Sequence, residues 1–522
     1  MVCLAGLSRG IGPDGVRIPE RLSPLAASTL VIPYTGRTPV DWLKTSSAAW
    51  RQAGVNRAIL VGPAGHDRLP EDGVRWVRIT TGQPFSGEVW REVLLEAAGE
   101  VVFCVNGDAG VAIGRSGLDR LASVLLETGS PFVYCHYLEE AAEGMVEHAT
   151  IDYQLGSVRD GFDFGPVIAL SLDAIRLAEQ RFGPLSDSSC GALYDLRLRL
   201  SVAALPLRVP ECLYACRRLE HRPTGQQQFD YVDPRNREAQ EQMERIVTDH
   251  LKRIGAWLEP QFDPVPGCRD DYPVLASVVI PVRNREKTVA DAARSALSQA
   301  TNFPFNVIVV DNHSTDGTTR ILDELAASDP RLVHLVPQTT DLQIGGCWNL
   351  AIQASRCGRY AVQLDSDDLY SSPGALQIVV DKLREGPYAM VVASYQLVNF
   401  QLQEIPPGLI DHREWTRDNG RNNLLRVNGL GAPRAFDTSV ARRCPFPNVS
   451  YGEDYAAGLR ISREYDIGRV FESVYLCRRW EGNTDANLPL ATKNRHDAYK
   501  DRIRTMEILA RQQSVAKGRL KP

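Results

Sequence analysis

The segment Asp365-Ser366-Asp367-Asp368 follows directly on the run Tyr360-Ala361-Val362-Gln363-Leu364. A buried strand that ends in clustered carboxylates is a place to hold a divalent cation. Hard ions such as Mg²⁺ or Mn²⁺ take oxygen ligands, commonly one or two carboxylates completed by substrate phosphates. Open α/β sheets also bind their ligands at strand ends. The first expectation is therefore an enzyme acting on a phosphorylated substrate. Three further groups carry chemistry. Asp311 closes the apolar run Ile308-Val309-Val310 and is placed to accept hydrogen bonds from a base or ribose. Glu453-Asp454 precedes a helical stretch, where acids also serve as caps in the helix dipole field. Arg478-Arg479-Trp480 follows the strand-like Val474-Tyr475-Leu476, and an arginine pair beside an indole suits phosphate and ring contacts as well as surface ion pairs.

The elements that must position these groups read as alternating strand and helix. Ser277–Ile280, Val307–Val310, Leu332–Val336 and Ala361–Leu364 are short apolar strands, and Glu286–Gln299, Thr318–Ala327 and Trp348–Ser355 have helical spacing. That alternation predicts an α/β fold with a mostly parallel, Rossmann-like sheet covered on both faces. The pattern occurs twice. Val31-Ile32-Pro33 parallels Val279-Ile280-Pro281, Ile59-Leu60-Val61-Gly62 parallels Ile308-Val309-Val310-Asp311, and Val105-Asn106-Gly107-Asp108 parallels Leu364-Asp365-Ser366-Asp367. Residues 191–220 align without gaps on 452–481, sharing Tyr214/Tyr475, Cys216/Cys477 and Arg217/Arg478. The expected organisation is a domain over 1–230, a helical linker over 231–272, a second domain over 273–490 and a basic C-terminal helix or tail over 491–522.

The chain has 522 residues and a net charge of 59 − 64 = −5, so it has no global basic field for nucleic acid. No apolar stretch is long enough for a transmembrane helix, and Met1–Gly10 does not have the pattern of a signal peptide. Eleven cysteines without a Cys-x-x-Cys motif read as reduced thiols in a cytoplasmic protein.

Taken together, the order strand-Pro, strand-end Asp, Asp-x-Asp-Asp, Glu-Asp and Arg-Arg-Trp resembles the family 2 glycosyltransferases of GT-A fold. Val278–Arg285 is similar to their opening strand, Asp311–Thr318 to their nucleotide loop and Gly345–Asn349 to their Gly-x-x-x-Asn segment, with Trp348 where an arginine is commoner. Arg478-Arg479-Trp480 is similar to the end of the Gln-x-x-Arg-Trp motif of processive members, but the glutamine is missing. The resemblance implies two tandem GT-A-like domains and a metal-dependent, inverting transfer of a sugar from a UDP- or GDP-sugar to a saccharide or lipid-linked acceptor, as in polysaccharide biosynthesis. It implies Asp367 and Asp365 at Mn²⁺ or Mg²⁺, and Asp454, supported by Glu453, as general base. Pro281, Arg285, Asp311, Asp365, Arg478, Arg479 and Trp480 would line the nucleotide-sugar. Trp415 and Arg434, in a polar segment between the metal strand and Glu453, are candidates for the acceptor pocket; an ordinary packed loop is the other reading.

The first copy has lost much of this set. Gly62 stands for Asp311, Asn106 for Asp365, Ala192-Leu193 for Glu453-Asp454 and Leu219 for Trp480, while Asp108 matches Asp367. It reads as a degenerate copy serving as scaffold, oligomerisation surface or acceptor module. The C-terminal Lys500, Arg502, Arg504, Arg511, Lys517 and Arg519 read as a solvated face or as a peripheral contact with an anionic inner membrane surface. Competing readings are a non-catalytic carbohydrate- or nucleotide-binding scaffold and a sugar nucleotidyltransferase; the absence of glycine from Pro281–Lys287 weighs against the latter. A fragment spanning 1–260 is expected to show no metal-dependent nucleotide binding by calorimetry; clear binding would contradict the degenerate reading.

Overall fold

The computed structural model describes residues 28–35, 50, 55, 57–64, 74–141, 144–217, 236–267, 271–483 and 488–521. Arg218, Leu219 and Glu220, used in the repeat alignment, lie outside these residues. The chain divides into two compact units, one of 1–150 with 163–219 and one of 151–162 with 220–522.

The first unit has strands β1 (Ser28–Pro33), β2 (Arg57–Gly62), β3 (Arg75–Thr80), β4 (Val101–Val105), β5 (Ala112–Ile113), β6 (Phe132–Ala141), β7 (Gly144–His148), β8 (Val167–Ser171) and β9 (Leu207–Arg217). Helices α1 (Gly87–Glu96), α2 (Arg115–Thr128), α3 (Leu172–Phe182) and α4 (Ala192–Ser201) complete it. The sheet runs β3-β2-β1-β4-β8-β6-β9-β5, with β7 beside β6.

In the second unit α5 (Arg237–Arg253) precedes β10 (Ala276–Val282), α6 (Val289–Leu297), β11 (Phe305–Asp311), α7 (Thr318–Ser328), β12 (Leu332–Leu335), α8 (Ile344–Gln353) and β13 (Tyr360–Gln363). Then come β14 (Leu369–Tyr370), α9 (Ala375–Glu385), β15 (Tyr388–Asn399), β16 (Glu404–Ile410), α10 (Gly420–Asn423), β17 (Arg434–Asp437), α11 (Thr438–Arg443), α12 (Glu453–Ser462), β18 (Asp466–Arg479) and α13 (Leu490–Ala516). Its sheet runs β12-β11-β10-β13-β17-β15-β18-β14, with β16 beside β15.

The two sheets have the same strand order, so the internal repeat is a repeat of topology. Register agrees residue by residue. Val31 pairs with Ile59 and Cys104 as Val279 pairs with Ile308 and Gln363. Gly62 therefore occupies the place of Asp311, and Asn106 and Asp108 those of Asp365 and Asp367. The expected all-parallel character holds through the run β12-β11-β10-β13. Beyond β13 the sheet is mixed: β17 is antiparallel to β13 and β15, whereas β15 and β18 are parallel. The sequence motif that suggests βαβ crossovers ends at β13, and the return strands leave no comparable signature.

The local reasons are ordinary. Val278, Val279 and Ile280 are fully buried because the sheet centre is covered on both faces. Helix α6 buries Val289, Ala292, Ala293 and Ala296, a stripe at i, i+3, i+4 and i+7. These pack with Val307, Val309 and Val362 in the core of the second unit.

Two segments depart from expectation. Residues Arg421, Asn422, Asn423 and Arg426 are at most 2% exposed, so this part of the polar stretch before Arg434 is a packed hub. Arg421 donates to the carbonyls of Glu259 and Gln261, Asn422 exchanges hydrogen bonds with the Leu258 backbone, and Asn419 and Asn423 donate to Glu244 of α5. Helix α13 is likewise internal along one side. Lys500, Arg504 and Arg511 are buried, so these three charges are turned away from any membrane surface. Arg504 donates to Tyr455, Asp501 and the Val427 carbonyl, and Arg511 to Glu507, Asn422 and the Arg421 carbonyl. Among the described residues no helix is long and apolar enough to cross a membrane.

The strap 151–162 completes this packing. Asp501, fully buried, accepts from Ser157 Oγ (2.8 Å), Arg159 Nε (3.2 Å) and Arg504 (2.8 Å). Gly156 lies on α13 so closely that a Cβ would stand 2.2 Å from Thr505 N and 2.3 Å from Asp501 O. Gly156→Ala is expected to cost about 2–3 kcal/mol of stability through backbone displacement. On a unit of this size that is a fall of roughly 5–10 °C in melting temperature, readable by calorimetry.

Candidate active site

The sequence-derived groups meet at the carboxyl edge of β10, β11 and β13. Asp311, 1% exposed, ends β11 and accepts from Ser314 N (3.0 Å) and Thr319 Oγ1 (2.6 Å), with His334 Nε2 at 3.6 Å. Burial works against its charge, but these hydrogen bonds and His334 hold the carboxyl below the ordinary range. The two loops flanking it interlock. Asn284 (φ 54°) donates its backbone N–H to Ser314 Oγ, and its side-chain oxygen accepts from Thr315 N at 2.7 Å. Pro281 lies in β10 opposite Val310, and Arg285 Nε stands 4.0 Å from Asp367 Oδ2.

The turn Asp365–Asp368 is fastened from several sides. Gln363 donates to both oxygens of Asp365 (2.9 and 3.0 Å), and Tyr475 Oη accepts from the Asp365 N–H. Asp367 Oδ2 accepts from Trp480 Nε1 and Asn483 Nδ2, each at 3.3 Å. Asp368, 4% exposed, accepts from Arg478 N at 2.8 Å. The Arg478 side chain, 3% exposed, donates to the Asp367 carbonyl and to Asp291 (3.2 Å) and lies over the Phe400 ring. It therefore fixes the turn from beneath. Burial raises the Asp365 carboxyl above its usual value, Asp367 and Asp454 adding to the effect against Arg434 and Gln363. Burial together with Asp367 and Asp365 raises Asp368 further. Asp365 and Asp367, two half-buried carboxylates on one turn, suit a hard cation with oxygen ligands. Among the described residues no three or more metal-type side chains cluster, so Asp365 and Asp367 would leave most of a cation's shell to phosphate and water.

Glu453 and Asp454 open α12, whose N-cap Gly452 is left-handed (φ 80°). Asp454 ion-pairs with Arg434 of β17. Burial opposes its charge, and Arg434 followed by Lys500 brings the carboxyl below its ordinary value. Glu453 differs: one of its oxygens is buried without a hydrogen-bond partner, and burial and then Asp454 push its carboxyl up to about 8. Gln363 joins the two acid groups. Its amide nitrogen holds Asp365, its oxygen accepts from Arg434 N (3.1 Å), and Arg434 in turn holds Asp454.

Asp311, Asp365, Asp367, Arg285, Trp480, Asp454, Glu453 and Arg434 are thus assembled around one edge. Arg479 follows Arg478 at the end of β18, opposite Asn399. Trp415 is not brought to the site. Its ring packs on Gly420 and lies under the Arg469 guanidinium (4.9 Å), within the buried hub. Sequence reasoning missed Gln363, Tyr475, Asn483 and Lys500. Gln363 had a signal, an amide inside a buried strand that must find partners; the other three come from segments remote from β13.

At the equivalent edge of the first unit the space is filled. Both oxygens of Asp108 accept from Thr35 N, and Thr35 Oγ1 adds a third bond at 2.9 Å. A Cβ on Gly62 would meet the Tyr34 ring at 2.5 Å, so Tyr34 stands in the space beside Gly62, where the second unit has Asp311. Tyr214, the counterpart of Tyr475, stacks on Tyr137, which stacks on His148.

Glu453 gives a pH signature. Its folded-state pKa lies above the unfolded value, so its contribution is fully present below about 4.5 and is lost as pH rises through about 8. Glu453→Gln is expected to be more stable than wild type at pH 8 and nearly equal to it at pH 4.5 in urea denaturation; equal stability at both pH values would contradict the buried protonated acid.

Residues 277–446 match the family model for glycosyl transferase family 2. An uncharacterized protein of Mycobacterium tuberculosis is 30% identical over 156 residues, 29% of this chain and 43% of the relative. Chondroitin synthase of Escherichia coli is 39% identical over 111 residues, 21% of this chain and 16% of that enzyme. The chain thus spans less than half the length of these relatives. Staphylococcus aureus TarS 1–349, crystallised with UDP-GlcNAc, is 22% identical with a TM-score of 0.35, covering 47% of this chain and 74% of that one. From its strand-end acids and its family match together, the chain carries a glycosyl transferase family 2 domain over residues 277–446.

Proposed function

We propose that the second repeat transfers a sugar from a nucleoside diphosphate sugar to an acceptor hydroxyl with inversion at the anomeric carbon. The observation that carries this reading is the continuous link Asp365–Gln363–Arg434–Asp454, which sets a metal-type acid and a base-type acid at one sheet edge. Asp311, with Arg285 and Pro281 on the neighbouring loop and strand, takes the nucleoside. Asp367, with Asp365, would hold Mn²⁺ or Mg²⁺, which when bound supplies positive charge to the departing diphosphate. Trp480 and Asn483 keep the Asp367 carboxylate oriented.

Asp454 is the general base. An acceptor hydroxyl is a weak nucleophile, and a positioned carboxylate that takes its proton is worth about 10²–10⁴ in rate. Arg434 keeps Asp454 ionised before the acceptor arrives. In the displacement the acceptor oxygen bonds to the anomeric carbon as the bond from that carbon to the diphosphate oxygen breaks. The hydroxyl proton ends on Asp454, and the electron pair leaves with the diphosphate. Protonated Glu453 beside it adds no second negative charge near neutral pH. The first repeat, with Asp108 already satisfied and Ala192-Leu193 in place of Glu453-Asp454, takes no part in this chemistry.

The test is thermal stabilisation by UDP and GDP with and without Mn²⁺, beside Asp367→Ala and Asp454→Asn. Metal-dependent stabilisation by one nucleotide is expected, lost in Asp367→Ala and kept in Asp454→Asn. Sugar transfer in Asp454→Asn is expected to fall by about 10²–10⁴. No stabilisation by any nucleotide, or full transfer by Asp454→Asn, would defeat the proposal.

A further inference from the structure

We propose that Lys500 of α13 is a positioning residue for the acidic pair Glu453–Asp454; this rests on the reading of Asp454 as general base. The pair is bracketed in sequence by two tyrosines, Tyr451-Gly452-Glu453-Asp454-Tyr455. Both rings face the same ammonium, with Lys500 Nζ 4.4 Å from the Tyr451 centroid and 5.6 Å from that of Tyr455. The nitrogen also donates to the Asn428 carbonyl at 2.7 Å, and the residue is 8% exposed. A lysine this buried ordinarily pairs with a carboxylate. Among the described residues Lys500 forms no salt bridge; two π faces and one carbonyl hold its nitrogen, and Asp497 on the same helix also lies within its field.

The turn it grips is tight. A Cβ on the left-handed Gly452 would stand 3.6–3.7 Å from Tyr499, Lys500 and Ile503, so the start of α12 lies flat on α13. The next residue along α13, Asp501, is fully buried among Ser157, Arg159 and Arg504, and Arg504 donates to Tyr455 Oη at 2.9 Å. These bonds tie α13 to the strap and to α12. Lys500 adds a fixed positive charge behind a helix N-terminus that already favours anions. Its field acts on Asp454 in the same sense as Arg434. Unlike Arg434, it does so from the side of α12 covered by α13.

The experiment compares wild type, Lys500→Met, Lys500→Arg and Arg159→Ala in the full chain. Lys500→Met is expected to lower kcat on the order of tenfold with donor KM within about twofold, since the donor is held by β11 and β13. Lys500→Arg should restore most of kcat. Arg159→Ala loosens the same helix without touching the pair; it should lower the melting temperature yet keep kcat within about twofold below that temperature. Hydrogen exchange at amides 451–456, readable without turnover, should quicken in Lys500→Met and recover in Lys500→Arg. Wild-type kcat in Lys500→Met, an equal kcat loss in Arg159→Ala, or unchanged exchange in Lys500→Met would each overturn the assignment. Wild-type kcat in Asp454→Asn would instead overturn the base assignment, whatever Lys500 does.

Discussion

Mutual repulsion among carboxylates governs the second unit. Asp365, Asp367, Asp368, Glu453 and Asp454 converge on one sheet edge, and several of them are partly or wholly removed from water. Like charges in such a setting either protonate or acquire cationic partners. Both solutions occur here. Glu453 and Asp368 are pushed toward the neutral form, while Asp454 is kept charged by Arg434. Arg478 is spent on holding the Asp365–Asp368 turn in place, because its backbone and guanidinium satisfy Asp368 and the Asp367 carbonyl. An arginine that sequence places among phosphate contacts thus serves the geometry of the acids.

The first repeat shows what happens when that constraint is released. With glycine in place of Asp311 and Ala192-Leu193 in place of Glu453-Asp454, the first unit has no matching cluster of carboxylates to hold apart. Tyr34 stands beside Gly62, Thr35 donates to Asp108, and Tyr214, Tyr137 and His148 stack on one another. The strand order survives because it depends on apolar faces, which the repeat has kept. Its chain also supplies the strap 151–162, whose Ser157 and Arg159 complete the buried Asp501 network of the second unit.

Buried cations organise the C-terminal half. Arg421, Arg426, Arg504 and Arg511 are 2% exposed or less, and each is met by carbonyls, amides or carboxylates. Charge composition alone suggests a solvated basic tail, because lysine and arginine are seldom buried. The reading holds for Arg502, Lys517 and Arg519, which are exposed, and fails for Lys500, Arg504 and Arg511 for a definite reason: the partners that make their burial tolerable, such as Tyr455, Asn422 and Asn428, come from distant parts of the chain. The same applies to Trp415, whose place is set by Arg469 of β18.

By itself the sequence determined the α/β class, the internal repeat, the strand-end acids and the likeness of residues 277–446 to glycosyl transferase family 2. These depend on apolar periodicity and on short motifs in which neighbours in the chain are neighbours in space. The strand-end position of Asp311 and Asp365 follows from local pattern alone, and so does the loss of acids in the first copy. Tertiary structure decided the mixed half of the sheet, the Gln363–Arg434 bridge between the acid groups, the burial of α13 and the destination of the strap. Each of those joins residues about 40 to 350 positions apart. Hydrogen bonding and charge pairing at such separations leave no periodic trace in composition, so only the folded chain shows which polar residue meets which.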